Sequence, residues 1–217
     1  MHNPYENKLP QSLIGIDLPT IGCDIDGVLR NFSLAFTIIY NRIIKEDHLK
    51  LPKVDLKREP LTWGELVGGP PYNKEVTQKI WNERIKEVFE IAEPYPEAKE
   101  FLRELRKLGH INFITSQPSH VEKQGYNDHW CSKHWRLIGK DSIFYSKGEE
   151  KWKLCNILID DSPANIKAAY ENKIKTFTVA HRYNKEVPGF RGSWNQIIVE
   201  LKKQLNHKEN QNATTSI

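Results

Sequence analysis

Two carboxylates stand one residue apart at the end of a short apolar run, directly before a glycine. The run 20–23 has the character of a buried strand, and Asp24, Asp26 and Gly27 follow it. Side chains at the carboxyl ends of strands lie where open α/β sheets build their sites. Two carboxylates this close repel each other unless a cation or a proton offsets their charge. The pair therefore predicts an α/β fold with a divalent metal at a strand end.

A regular alternation of strand and helix patterns runs through the second half of the chain. Strands are predicted at 20–24, 110–115, 142–145, 156–160 and 176–180. Helices are predicted at 32–45, 74–92, 97–108, 121–137, 164–171 and 193–205, where apolar residues recur at helical spacing. This alternation is typical of a parallel sheet covered by helices on both faces.

A long insert separates the first strand from the next strand–helix unit. Residues 31–93 are too many for an ordinary crossover connection. We interpret them as a small helical cap placed over the strand ends. The α/β core then comprises 1–30 and 94–206, and the polar tail 207–217 is predicted to be disordered.

Composition narrows the classes of protein that fit. The chain has 217 residues, 38% hydrophobic and 28% charged, as in soluble globular domains. No apolar stretch approaches the ~20 residues that span a bilayer, and residues 1–8 lack the layout of a signal peptide. We therefore expect a cytoplasmic protein that does not contact membranes. A net charge of +4 permits attraction of small phosphorylated molecules but does not by itself indicate nucleic acid. The sequence leaves open whether the protein forms a homodimer.

Polar side chains also close two other predicted strands. Thr115 and Ser116 follow one of them, and Asp160 and Asp161 follow another. Hydroxyls and free backbone N–H groups at such ends can bind phosphate oxygens. In a parallel sheet, these ends and the end of the first strand meet at one edge.

A lysine cluster lies just upstream of the Asp160–Asp161 strand and consists of Lys147, Lys151 and Lys153. The shared edge would then hold four carboxylates, a Thr–Ser pair and at least one ammonium group. This set suits a magnesium–phosphate site, because Mg²⁺ prefers a few carboxylates together with water and substrate oxygens.

These residues resemble the motifs of the haloacid dehalogenase-like (HAD) hydrolase superfamily. Its DxDG motif corresponds to 24–27, its strand-end Thr or Ser to Thr115, and its acidic pair to Asp160 and Asp161. Within the superfamily the chain is most similar to the 5′(3′)-deoxyribonucleotidase group, in segments 23–29, 93–98, 113–118, 157–166 and 181–184. The resemblance implies a Rossmann-like, HAD-like α/β fold.

The resemblance also implies a mechanism. Asp24 would be the nucleophile that forms an aspartyl-phosphate, and Asp26 would be the general acid and base. Mg²⁺ would be held by the carboxylates of Asp24 and Asp160 and by the Asp26 carbonyl, with Asp161 helping through water. Thr115 and a lysine would bind the phosphoryl oxygens. The substrate would be a small phosphomonoester, most plausibly a (deoxy)nucleoside monophosphate.

The chain departs from the family pattern at two places. Lys151 lies about one residue short of the expected spacing before the acidic pair, which keeps Lys147 as a second candidate. Position 30, where the pattern favours a small residue leading to another acid, is Arg30 followed by Asn31. This departure concerns local substrate contacts.

Several other interpretations of these residues stay open. Four aromatic side chains could stack on a nucleobase or pack the cap: Trp63, Tyr72, Trp81 and Phe89. The lysines could form a solvated basic face. Cys131, His129 and His134 could suggest zinc, but no second pair stands at ligand spacing.

Other functions remain as alternatives at this stage. The substrate could be a sugar phosphate or a nucleic-acid 3′-phosphate, although a cap closed over the site disfavours a polymer. The chain could also be a non-catalytic binding module with the same fold, against which the intact set of acidic and hydroxyl residues argues.

Overall fold

A six-stranded parallel sheet forms the centre of the molecule. The computed structural model describes residues 18–57, 65, 68–116, 121–135 and 142–214, so the interpretations of Trp63 and of 1–17 concern residues outside this description. The strands are β1 (Thr20–Cys23), β2 (His110–Thr115), β3 (Ser142–Tyr145), β4 (Ile157–Asp160), β5 (Lys175–Val179) and β6 (Phe190–Gly192).

The first strand in the sequence lies in the middle of the sheet. The spatial order is β3-β2-β1-β4-β5-β6 and all neighbours are parallel. The strands β2 and β3 therefore lie on one side of β1, and β4, β5 and β6 lie on the other. The crevice at this topological switch point, outside the carboxyl ends of the strands, is where such sheets bind ligands.

Helices connect the strands and cover the sheet. The α-helices are α1 (Phe32–Glu46), α2 (Lys74–Lys79), α3 (Ile85–Ile91), α4 (Ala98–Leu105), α5 (Val121–Trp135), α6 (Pro163–Glu171) and α7 (Trp194–Thr214). A π-helical turn, Ile80–Arg84, joins α2 to α3, and a 3₁₀-helix, Gly148–Leu154, precedes β4. Across the described ranges, no helix combines the length and apolar content needed to cross a bilayer.

The two faces of the sheet are buried by different helices. Alternate strand residues such as Phe113 and Ile159 pack against α4, α5 and α7 in one cluster. Their neighbours Ile114 and Leu158 point to the opposite face and pack near Ala169 of α6. Successive side chains in a strand point to opposite sides, so these strands are apolar on both faces. The α/β fold with helices on both faces is confirmed.

The segment 32–92 builds a hydrophobic cluster of its own. Its aromatic rings pack on one another. The centre of the Phe32 ring lies 5.7 Å from that of Trp81 and 5.9 Å from that of Phe89, and the centres of the Phe36 and Tyr72 rings lie 6.0 Å apart. Tyr72 and Phe89 are buried in this cluster. Of the two roles considered for these rings, packing is the one that the contacts show.

The predicted helix 74–92 contains one irregular turn. Its buried apolar residues include Val76, Ile80, Ile85 and Val88, and the interval from Ile80 to Ile85 is five residues long. A π-turn spans five residues rather than four. The turn at Ile80–Arg84 therefore keeps Ile80 and Ile85 in the same buried cluster.

Three further differences from the sequence prediction concern short or polar segments. Strand β6 has three residues, too few for an alternation to be recognised. The 3₁₀-helix at 148–154 also lacked a periodic signal. Helix α7 continues to Thr214, beyond residue 207 where the disordered tail was predicted to begin. The segment 207–214 contains no Gly or Pro that would end a helix.

Candidate active site

Asp24 stands directly beyond β1, at the centre of the sheet edge. Its backbone N–H donates to the carbonyl of Ile159 at 2.9 Å, which extends the pairing of β1 with β4 by one residue. Its Oδ1 accepts from the N–H of Ile25 at 2.7 Å. Its Oδ2 accepts no hydrogen bond from the residues that the structure describes. The carboxylate is thus held by one oxygen and offers the other.

Lys151 is the lysine that reaches the acidic residues. Its Nζ lies 2.9 Å from Asp24 Oδ1 and 2.8 Å from Asp160 Oδ2, and the side chain is fully buried. The 3₁₀-helix places it there, which explains why its sequence spacing looked short. Lys147 and Lys153 are exposed, and Lys153 pairs with Glu150. Only Lys151 of the three is brought to the strand ends.

Asp160 ends β4 with both oxygens fixed. Oδ1 accepts from the N–H of Ser162 at 2.8 Å, and Oδ2 accepts from Lys151. The side-chain amide of Asn165 in α6 lies 3.2 and 3.1 Å from the two oxygens. Asp160 is fully buried, and these donors supply the hydrogen bonds that a buried carboxylate needs.

Asp161 is held by the loop that follows β5. Its Oδ2 accepts from the hydroxyl of Tyr183, and its backbone carbonyl accepts from the side-chain amide of Asn184 at 2.9 Å. The Tyr183 ring stacks on His181, whose Nε2 lies 2.6 Å from the carbonyl of Gly27. One short loop therefore contacts both acidic motifs.

Three carboxylates converge, and Asp26 is not among them. Asp24, Asp160 and Asp161 each offer an oxygen, and these oxygens lie within 4.8 Å of one another. The Asp26 carboxylate instead accepts two hydrogen bonds from Arg30, at 2.7 Å from Nε and 2.9 Å from Nη2. Of the two aspartates in the DxD motif, Asp24 therefore belongs to the cluster, and Asp26 pairs with the buried Arg30.

The two hydroxyl residues lie on the β2 side of the same edge. Thr115 is the last residue of β2 and is buried, and Ser116 follows it in an exposed position. A Cβ atom at Gly148 would lie 3.1 Å from the Ser116 hydroxyl oxygen, so Ser116 sits beside the start of the 3₁₀-helix. All the predicted site residues therefore lie at or next to the carboxyl ends of β1, β2 and β4.

Burial and crowding of negative charge change the acidities in the cluster. Burial raises the pKa of Asp24 well above its usual range, although the Lys151 ammonium opposes this. Burial and the charge of Asp160 raise the pKa of Asp161 to about 6. Burial alone would lower the pKa of Lys151, but Asp160 and Asp24 outweigh it and raise that pKa.

These residues fit a hard divalent cation. When all three carboxylates are ionised, they face one ammonium and leave an excess of two negative charges in a buried place. Oxygen donors in this number, with room left for water and substrate oxygens, are what Mg²⁺ takes in proteins. The described cysteines and histidines do not contribute to the cluster, and Cys131 is a free buried thiol.

Sequence reasoning missed several residues that position the site. Asn165 follows Asp160 by five residues and lies in the first turn of α6, where an amide can face back to the strand end. Tyr183 and Asn184 fall in a segment quoted for its resemblance, but no role was predicted for them. Arg30 was identified as a departure, without any indication that it pairs with Asp26.

The architecture is that of the HAD-like fold. Two solved structures show the same fold. A haloacid dehalogenase-like hydrolase of Streptococcus pneumoniae has a TM-score of 0.57 and 15% identity, covering 84% of this chain and 98% of its own. A Bacillus subtilis protein that is provisionally named a HAD-hydrolase, solved with magnesium bound, has a TM-score of 0.56 and 12% identity, covering 86% of this chain and 99% of its own.

The sequence identifies the family more closely. Residues 18–204 match the model of the family described as 5′ nucleotidase, deoxy (pyrimidine), cytosolic type C protein (NT5C). A Bacillus cereus protein whose name provisionally assigns it as a nucleotidase is 29% identical over 136 residues, which cover 58% of this chain and 70% of that protein. The chain belongs to the NT5C family and is a phosphatase of the HAD class.

Proposed function

We propose that the protein is a Mg²⁺-dependent phosphomonoesterase whose substrate is a (deoxy)nucleoside monophosphate. The observation that carries the proposal is the convergence of Asp24, Asp160, Asp161 and Lys151 at the switch point of the sheet. Membership of a nucleotidase family supports the choice of substrate. The net charge of +4 favours a phosphorylated substrate over a cationic one.

Asp24 is the nucleophile in this proposal. An oxygen of its carboxylate forms a bond to phosphorus while the ester P–O bond breaks, and the leaving oxygen takes a proton from Asp26. A water molecule then gives a proton to Asp26 and attacks phosphorus. The P–O bond to Asp24 breaks in that step, which releases inorganic phosphate and restores the carboxylate.

The remaining residues bind and orient the phosphoryl group. Lys151 already contacts Asp24, so its ammonium can neutralise charge on both the nucleophile and the transferred group. Thr115 and Ser116 donate hydroxyls from the β2 side. Asp24, Asp160 and Asp161, with the Asp26 carbonyl, would hold the Mg²⁺, which supplies charge neutralisation between the anionic nucleophile and the anionic phosphate.

The segment 31–93 is proposed to act as the cap. Both of its ends join the core beside Asp26, where the N–H of Asn31 donates to the carbonyl of Glu93 at 3.0 Å. A cover attached at this point can exclude water from a small substrate. It leaves less access for a polymer, which is why a nucleotide is preferred over a nucleic-acid end.

The proposal is tested with a panel of nucleoside monophosphates and sugar phosphates, assayed with Mg²⁺ and with EDTA. Asp24→Asn is expected to lower kcat by about 1,000-fold or more while the fold is retained. Asp47→Asn, which alters an exposed carboxylate paired with Lys79, serves as the matched control and should leave kcat unchanged. Full Mg²⁺-dependent turnover by the Asp24 variant, or release of no phosphate from any substrate by the wild type, would contradict the proposal.

A further inference from the structure

Arg30 occupies the junction between the core and the segment 31–93. Its backbone N–H donates to the carbonyl of Ile25 at 2.8 Å, and its carbonyl accepts from Gly27 at 3.1 Å. It also pairs with Pro94 in an antiparallel bridge. Arg30 therefore contacts the DxDG loop and lies where the chain enters and leaves the proposed cap.

The side chain of Arg30 carries a charge that is fully removed from water. Two of its guanidinium nitrogens, Nε and Nη2, form a fork that donates to both carboxylate oxygens of Asp26. The Asp26 side chain itself is 18% exposed. The third guanidinium nitrogen, Nη1, is buried without a hydrogen-bond partner among the described residues. Burying a cation in this way is costly, so its surroundings must compensate.

Aromatic rings from two parts of the molecule surround the guanidinium. Its carbon lies 4.3 Å from the ring centre of Phe89, 5.9 Å from that of Phe32 and 4.8 Å from that of Trp130. The two phenylalanines belong to the segment 31–93, and Trp130 belongs to α5 of the core. Cations within about 6 Å of ring faces are stabilised. Trp130 also donates to the carbonyl of Ala92 at 2.7 Å, which fixes this arrangement.

We propose that Arg30 is a positioning residue that holds the Asp26 carboxylate in place for the leaving-group oxygen, at a location set jointly by the core and the cap. The inference rests on the proposed function, in which Asp26 protonates that oxygen. A bidentate fork fixes the plane of a carboxylate and uses one acceptor site on each oxygen. Each oxygen keeps a second site for the reaction.

The need for such a device follows from the exposure of Asp26. Without the fork, a partly exposed carboxylate can rotate toward water, and proton transfer requires contact with the leaving oxygen. Among the described residues, the Lys151 ammonium pairs with Asp24 and Asp160 and not with Asp26, so it offers no replacement for Arg30. The rings of Phe32 and Phe89 contact the guanidinium from the cap, so the position of Asp26 depends on the position of the cap.

The test compares two leaving groups in the same enzyme preparation. One substrate is the alkyl phosphomonoester of the panel with the highest kcat/KM, whose alkoxide needs a proton to leave. The other is p-nitrophenyl phosphate, whose phenolate leaves without one. The ratio of the two kcat/KM values cancels any loss of folded enzyme, because both substrates see the same active fraction.

Arg30→Met is expected to lower the alkyl-to-aryl ratio by about 10- to 100-fold. Arg30→Lys should fall between this variant and the wild type, since an ammonium restores the charge and one hydrogen bond but not the fork. Phe89→Leu, which removes the nearest ring face, should also lower the ratio. Arg42→Met, which alters an exposed cap arginine paired with Glu87, is the matched control and should keep the wild-type ratio.

A double-mutant comparison completes the test. Asp26→Asn should lower the same ratio, and adding Arg30→Met to it should lower the ratio no further, because both act through one carboxylate. An unchanged ratio in Arg30→Met and Arg30→Lys, or an additive effect in the double variant, would overturn the inference while leaving the phosphatase proposal intact. A wild-type protein inactive on both substrates would instead remove the proposed function itself.

Discussion

Gly27 shows how one residue can constrain two motifs at once. Its φ of +76° lies in the left-handed region, which residues with a Cβ adopt at a cost of about 1–2 kcal/mol. A Cβ at this position would collide with the carboxylate of Asp161. The glycine of the DxDG motif is therefore required both by its own backbone and by the proximity of Asp161, which follows β4.

Gly27→Ala is expected to lower the free energy of unfolding by about 1–2 kcal/mol or more and to reduce Mg²⁺-dependent activity, because Asp161 must move. Gly125→Ala is the matched control, since a Cβ there meets no atom within 4 Å. In the middle of α5 that change should stabilise the protein by up to about 1 kcal/mol. Urea unfolding and phosphate release measure the two effects. Equal stability of the Gly27 variant and the wild type would contradict this account.

At the scale of elements, one side chain joins the carboxyl ends of β4 and β5 to the middle of β6. Asn184 is fully buried, and its amide nitrogen donates at 2.9 Å to the carbonyls of both Asp161 and Val179. Its Oδ1 accepts from the N–H of His181 at 2.9 Å and from Nε of Arg191 at 3.0 Å. The Asn184 side-chain amide thus makes two hydrogen bonds as a donor and two as an acceptor.

Asn184→Ala should lower the free energy of unfolding by about 3 kcal/mol, because it leaves several buried polar groups without partners at ~1–3 kcal/mol each. Asn172→Ala removes an exposed amide that caps the end of α6, and its effect should stay below about 1 kcal/mol. Equilibrium urea denaturation of the two variants checks the difference. Similar losses in both would show that the buried amide has no special role in joining the strands.

At the scale of the whole molecule, the candidate site concentrates unbalanced charge at the centre of the sheet. Asp24 meets Lys151, Asp160 and Asp161 there, and these three come from the second half of the chain. Repulsion among the carboxylates opposes folding unless a cation or a proton offsets their charge. Binding of a cation to the folded state alone should therefore stabilise the entire chain.

Mg²⁺ at about 100 times its Kd is expected to stabilise the protein by about 2.7 kcal/mol, a rise in Tm of roughly 5–10 °C for a chain of this size. NaCl at matched ionic strength should give a much smaller shift. Asp160→Asn should remove most of the Mg²⁺ effect, whereas Asp47→Asn should retain it. Differential scanning calorimetry measures these shifts. A wild-type Tm that is insensitive to Mg²⁺ would contradict a metal site among these carboxylates.

The positions of most helices and strands could be predicted from the sequence, because hydrophobic periodicity depends only on residues close together in the chain. The spacing of Phe32, Phe36, Ile39 and Ile43 predicts α1, and the structure confirms it within one residue. The same reasoning failed where local signals conflict or are too short. The five-residue interval between Ile80 and Ile85 coincides with a π-turn, and the 3₁₀-helix that carries Lys151 has no periodic pattern.

The order of residues along the chain determined the strands, the acidic strand ends and the family, because hydrophobic period and motif spacing depend on near neighbours. Only the tertiary structure decided which lysine reaches Asp24 and which partner Asp26 takes. Those outcomes depend on burial: Lys151 and Arg30 are both fully enclosed, and an enclosed cation is stable only beside a carboxylate or an aromatic ring. Which carboxylate or ring is near is set by the packing of segments distant in sequence.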